Sequence, residues 1–193
     1  MSGIYLILGG ARSGKSSYGE ELAKSMGGKT AYLATSIITD KEMEKRVKLH
    51  RNRRPAGWVT LELENPKPDN KEIDRIISHL KNNNIDTLLM DCATNLLFRL
   101  LDGYKLDKME IIDNDTETRI EAEVLEFFSY LIKRLKSTSM DIIIISNEIG
   151  LGVVPAFPLG RIFRDLMGMI NKELASSADE AYLFVAGIKQ RLK

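Results

Sequence analysis

The chain has 193 residues, 44% hydrophobic and 28% charged, with a net charge of +1. That balance is ordinary for one globular domain with a sizeable core, and the near-zero charge gives no case for a nucleic-acid or membrane-surface partner. A single cysteine, Cys92, excludes an internal disulfide and suits a reducing compartment.

The apolar run at the N-terminus is far too short to span a bilayer and lacks the positively charged lead of a signal peptide. The expectation is a soluble, cytoplasmic protein folded as one domain over 1–193. In chain order, short apolar runs at 4–8, 30–35, 58–63, 87–92, 141–146 and 180–185 alternate with helix-period segments near 15–26, 40–52, 69–83, 117–137 and 159–177. Runs such as DIIIIS and TLLMDC are continuously apolar, which predicts strands buried on both faces. Strand alternating with helix predicts an α/β fold with a mainly parallel sheet. The polar stretch 102–119, DGYKLDKMEIIDNDTETR, reads as a loop or as the start of a long helix.

The segment GGARSGKS at 9–16 follows the first predicted strand and opens the first predicted helix. Gly9, Gly14, Lys15 and Ser16 satisfy G-x-x-x-x-G-K-[ST]. Glycines let backbone N–H groups curl around a phosphate, and the helix N-terminus adds positive potential. Lys15 is placed to reach the β- and γ-phosphates, and the Ser16 hydroxyl to ligate Mg2+. TLLMDC supplies Asp91 at a strand end, as a second Mg2+ ligand or as the cap of a following helix. Ala34–Ser36 and Asn147–Glu148 also end strands. In open parallel sheets such ends gather around one crevice.

His50 lies in RVKLHRNRRPAGW with Arg46, Lys48, Arg51, Arg53 and Arg54 close in sequence and no acid in the stretch. Met43, Val47 and His50 share one face of the predicted 40–52 helix, which turns His50 toward the sheet. A buried, hydrogen-bonded histidine is one reading. A nucleophile is the other: nearby cations disfavour imidazolium, and a neutral nitrogen can attack phosphorus to give a phosphohistidine-type intermediate. With only Trp58 among the basic residues, a nucleic-acid patch is a weak reading.

The chain also resembles, nearly end to end, the bifunctional adenosylcobinamide kinase / adenosylcobinamide-phosphate guanylyltransferase family of cobalamin biosynthesis. The resemblance rests on GGARSGKS, YLATS, the H…RP..W block at 50–58, DC…NLL at 91–97, SNEIGLGVVP, RIFRDLMGMIN and ASSADEAYLFVAGI. It implies a RecA-like P-loop fold, phosphorylation of adenosylcobinamide by GTP or ATP, and transfer of GMP from GTP through a histidine to adenosylcobinamide phosphate. The family's guanylylated histidine matches His50, with Lys15 as the other catalytic residue. Nucleotide contacts would fall on Gly9, Gly10, Ala11, Arg12, Ser13, Gly14, Lys15, Ser16, Ala34, Thr35, Ser36, Arg51, Asn52, Arg53, Arg54, Glu62 and Asp91. Ser16 and Asp91 would hold Mg2+, and Glu62 or Asp91 would read guanine. A homotrimer is the implied assembly. Here Leu49 stands where some members have a second histidine, and the segment between Asp91 and Asn95 is shorter than the family's. Arg161 and Arg164 are open between phosphate and a neighbouring subunit.

Overall fold

The continuously apolar runs become strands covered on both faces, and their order creates the crevice. The computed structural model describes residues 2–37, 54–106 and 112–193. Strands β1 (Ile4–Gly9), β2 (Thr30–Ala34), β3 (Val59–Glu62), β4 (Thr87–Asp91), β5 (Asp141–Asn147), β6 (Glu180–Val185) and β7 (Ile188–Arg191) form one seven-stranded sheet. Its order is β3-β2-β4-β5-β1-β6-β7, and the pairings are parallel except β6 with β7. The helices among the described residues are α1 (Lys15–Met26), α2 (Asn70–Asn82), α3 (Ala93–Asp102), α4 (Asn114–Lys136) and α5 (Pro158–Ser177).

One face of the sheet packs under α2, α3, α4 and α5. Its core includes Leu6, Leu88, Ile142, Ile144, Phe128 and Leu166. The other face carries Ile7, Tyr32, Leu89, Ile143 and Ile145 and is covered by α1. The approach of α1 is close at Gly19, where a Cβ would lie 3.0 Å from the Ile145 side chain. Local chemistry sets the helix starts. Asp69 accepts from the Glu72 backbone N–H at 2.9 Å, and Asp113 from that of Thr116 at 2.8 Å. Pro158 begins α5, where its missing N–H costs nothing.

The structure adds two elements to the predicted ones, the helix α3 at residues 93–102 and strand β7. The polar stretch 102–119 contains the start of a long helix at Asn114, one of its two expected readings. Strand β7 was not expected, because its four residues are all exposed and mostly polar. It exists because Ala186 and Gly187 both take positive φ, 50° and 82°, which closes a tight hairpin onto β6. The expected helix at 40–52, with its Met43, Val47 and His50 face, lies outside the described residues. No helix among the described residues is long and apolar enough to cross a membrane.

Candidate functional site

The ends of β1, β5, β4, β2 and β3 carry Gly9, Asn147, Asp91, Ala34 and Glu62, all on the carboxyl edge of the sheet. β5 lies between β1 and β4, so Asp91 sits two strand spacings, about 10 Å, from the phosphate-loop strand. Asp91 and Glu62 both pair in register with Ala34. In parallel strands that row shares one face, so the two carboxylates flank a small side chain on the α1 side of the sheet.

The loop 9–16 closes tightly between β1 and α1. A Cβ on Gly9 would lie 2.5 Å from Ser13 Oγ and 2.7 Å from the Phe184 carbonyl, so only glycine fits. Gly14, with φ of 97°, caps α1 in the left-handed region. Ser13 is buried, and its Oγ has no hydrogen-bond partner. Two neighbours hold the loop from outside. The Glu148 N–H donates to Gly9 O at 3.2 Å, and the Gly187 N–H donates to Ser13 O at 3.1 Å. The unexpected β6–β7 hairpin is therefore a strut for the loop. Lys15 is 8% exposed and its Nζ donates to Gly10 O at 3.0 Å. Burial lowers its pKa, while the Asp91 carboxylate pulls the other way and favours the ammonium form.

The Tyr32 hydroxyl donates to Asp91 Oδ2 at 3.0 Å. Next along, burial and Asp91 push the Cys92 thiol up to about 11, which keeps it neutral and a poor nucleophile. Ser16 and Asp91 are hard oxygen donors of the kind Mg2+ prefers. Among the described residues no three His, Cys, Asp or Glu side chains converge. That donor set fits an ion shared with nucleotide phosphates and water, the usual Mg2+ arrangement.

Among the expected nucleotide contacts, Thr35 is placed differently from its neighbours. It is 0% exposed, and its hydroxyl accepts from the Cys92 N–H at 2.6 Å and donates to Cys92 O at 2.7 Å. Its own N–H donates to Asp91 O and its carbonyl accepts from Arg99. Thr35 therefore serves the site by fastening β2 to the end of β4. Gly10, Ala11, Arg12, Gly14 and Glu62 are exposed, while Ser16, Ala34, Ser36, Arg54 and Asp91 are half-buried. His50, Arg51, Asn52 and Arg53 lie outside the described residues.

Sequence reasoning missed three supports: Arg99, the Thr94 and Asn171 pair that holds Asn147, and Tyr32. Arg99, 7% exposed, donates from Nε to Thr35 O at 2.9 Å, from one terminal nitrogen to Asn65 O at 2.8 Å and Leu63 O at 3.4 Å, and from the other to Ser36 O at 3.1 Å. It holds the ends of β2 and β3 together. Its one signal was a lone charge in the apolar run NLLFRLL. Asn147 is held at both backbone groups: its N–H donates to Thr94 Oγ1 at 2.8 Å, and its carbonyl accepts from Asn171 Nδ2 at 3.0 Å. Tyr32 is the third. Arg161 donates to Pro155 O and Ala156 O, at 3.2 and 2.7 Å, and Arg164 pairs with Asp165 at 2.8 Å. Replacing Arg99 with methionine is expected to cost about 3 kcal/mol, since charge-assisted bonds are lost and buried carbonyls are left unpaired. A protein of this size should then melt roughly 10 °C lower. A melting point by circular dichroism within 2 °C of the parent would show that Arg99 does not hold the strand ends.

A family profile for cobinamide kinase / cobinamide phosphate guanyltransferase matches residues 5–192. The chain is 36% identical to the bifunctional adenosylcobalamin biosynthesis protein CobU of Escherichia coli, over 98% of this chain and 99% of that one. It is 35% identical to CobU of Salmonella typhimurium, again over 98% and 99%. It is 36% identical to the bifunctional adenosylcobalamin biosynthesis protein CobP of Pseudomonas aeruginosa, over 97% and 96%. Among solved structures, an ATPase from the type III secretion system of pathogenic bacteria superposes with a TM-score of 0.51 at 14% identity, covering 99% of this chain and 58% of that one. That likeness concerns the fold alone, and it agrees with a RecA-like P-loop architecture.

Proposed function

Since the chain belongs to the cobinamide kinase / cobinamide phosphate guanyltransferase family, we propose that the 9–16 loop and His50 divide that family's two reactions between them. The protein is a transferase of adenosylcobalamin biosynthesis, both a cobinamide kinase and a guanylyltransferase in nucleotide loop assembly. One domain spanning the chain carries both activities.

In the kinase half, the loop N–H groups and Lys15 hold the triphosphate of GTP or ATP. The aminopropanol hydroxyl of adenosylcobinamide attacks the γ-phosphorus, the new O–P bond forms, and the bond to the β-phosphate oxygen breaks with the diphosphate leaving. In the transfer half, a His50 nitrogen attacks the α-phosphorus of GTP and pyrophosphate leaves. The phosphate oxygen of adenosylcobinamide phosphate then attacks the same phosphorus, breaks the N–P bond and gives adenosylcobinamide-GDP. In this reading Arg51, Asn52, Arg53 and Arg54 serve as nucleotide contacts, and the arginines stabilise charge developing on the phosphate oxygens. Ser16 and Asp91 would hold Mg2+, which when bound neutralises phosphate charge.

The strand order separates the two candidate acids. Asp91 is on β4, and Glu62 is two strands further from the phosphate loop. An extended nucleotide with its phosphates on Gly9–Ser16 therefore brings phosphate near Asp91 and the base toward Glu62. A carboxylate accepting from guanine N1–H and the 2-amino group favours guanine over adenine. Glu62→Gln is thus expected to raise KM for GTP about 10-fold in the transfer reaction, with little effect on an ATP-driven kinase rate. Equal losses with both nucleotides would sink this assignment.

The geometry supporting the whole reading is the lysine loop and the two carboxylates on one edge of the sheet, in a chain matched end to end by the family. The expected assembly is a homotrimer in the cytoplasm. The test is incubation with GTP labelled at the α-phosphate. Label should enter the protein as pyrophosphate is released, and should leave on addition of adenosylcobinamide phosphate. The competing reading, a small-molecule kinase without guanylyl transfer, predicts no label on the protein.

A further inference from the structure

Tyr32 is an aromatic in the middle of a buried strand, which alone reads as core. Its neighbours say otherwise. Tyr32 is 4% exposed on the α1 face of the sheet, in register with Leu89 of β4 and Thr60 of β3. Two residues on, Ala34 shares that face and offers only a methyl group, so the space above the ring is open to other groups. Two charged ones take it. The Tyr32 hydroxyl donates to Asp91 Oδ2 at 3.0 Å, and the Arg54 guanidinium carbon lies 3.2 Å from the ring centroid. Arg54 also makes a long contact to Thr60 Oγ1 at 3.4 Å, while its Nε is buried without a hydrogen-bond partner. Stacking on Tyr32 is therefore the main described support for this arginine.

We propose that Tyr32 is a positioning residue joining two nucleotide contacts: its hydroxyl orients the Asp91 carboxylate and its ring is the shelf on which Arg54 rests. The inference builds on the functional reading above, in which Asp91 and Arg54 serve the phosphates. Arg54 follows His50 by four residues, so the shelf holds the chain four residues beyond the proposed nucleophile.

Two substitutions separate the two jobs. Tyr32→Phe keeps the shelf and removes the hydroxyl, whereas Tyr32→Leu removes both. The probes are Mn2+ in the presence of a non-hydrolysable GTP analogue, read by electron paramagnetic resonance, and the affinity of the same analogue in EDTA, read by calorimetry. Tyr32→Phe is expected to weaken Mn2+ binding about 10-fold, the effect of losing a hydrogen bond to a charged group. It should leave the EDTA affinity within about twofold of the parent, because the cation–π shelf remains. Tyr32→Leu should show the same Mn2+ loss and, in addition, a roughly 5-fold weaker analogue in EDTA. Asp91→Asn is the reference. If it loses Mn2+ while Tyr32→Phe binds the ion like the parent, the proposal falls and the Asp91 reading stands. If Asp91→Asn also binds normally, both fall. A Tyr32→Phe protein that loses analogue affinity in EDTA as much as in Mn2+ would point to general loosening and overturn the positioning role. Should Tyr32→Leu fail to fold, Tyr32→Phe decides the hydroxyl, and Arg54→Ala in EDTA decides whether there is a contact for the shelf to support.

Discussion

His50→Ala is expected to abolish covalent labelling by GTP carrying a labelled α-phosphate, a fall of about 10³-fold or more, as for loss of a nucleophile elsewhere. The chemistry sets this size. A covalent route splits GMP transfer into two displacements at one phosphorus, and alanine offers no atom for the first. The label on the parent protein should be acid-labile and base-stable, as an N–P bond requires, which separates it from a serine or threonine ester. The kinase half does not pass through His50 in the proposed scheme. The variant should therefore still phosphorylate adenosylcobinamide with ATP while forming no adenosylcobinamide-GDP. Full labelling of His50→Ala would move the nucleophile elsewhere. Loss of both reactions would mean that His50 also serves the kinase step or the fold, and a thermal melt separates these two.

Much of the fold was legible because buried strands leave an uninterrupted apolar signature. DIIIIS and TLLMDC both became central strands, and the phosphate loop announced itself through glycine spacing that has a steric reason at Gly9 and Gly14. The failures share one physical cause: they depend on contacts remote in sequence. Arg99 looks like a surface charge until the ends of β2 and β3 are brought to it, 64 and 34 residues away for its carbonyl partners Thr35 and Asn65. Tyr32 looks like core until register sets it below Asp91, 59 residues on. At Thr35 a strand-end threonine reads equally as a cap or as a binding group. Its burial against Cys92 was not visible locally. Strand order was likewise out of reach. Alternation predicts parallel pairing, but the insertion of β5 between β1 and β4 depends on the crossovers, and that insertion sets the spacing between Lys15 and Asp91.

Lys15→Ala is expected to reduce kcat/KM about 10²- to 10³-fold in both reactions, the usual effect of removing one donor to charge that builds up in a transition state. The reason lies in where the lysine sits. It opens α1, is buried, and reaches back over its own loop to Gly10 O. Its charge is therefore held over the concave side of the loop, where triphosphate oxygens would lie. Burial works against that charge, and a phosphate has more to offer it than a carbonyl does. Both proposed reactions expel a phosphate leaving group, a nucleoside diphosphate in one and pyrophosphate in the other, so one ammonium can serve both. That shared dependence distinguishes Lys15 from His50, whose loss should spare the kinase. Stability should change little, since a single neutral-acceptor bond is lost at a loop that Glu148 and Gly187 still hold. A Lys15→Ala enzyme with kinase and labelling rates within about threefold of the parent, measured at subsaturating GTP, would remove the lysine from the chemistry, because so small a loss is below what a phosphate donor contributes.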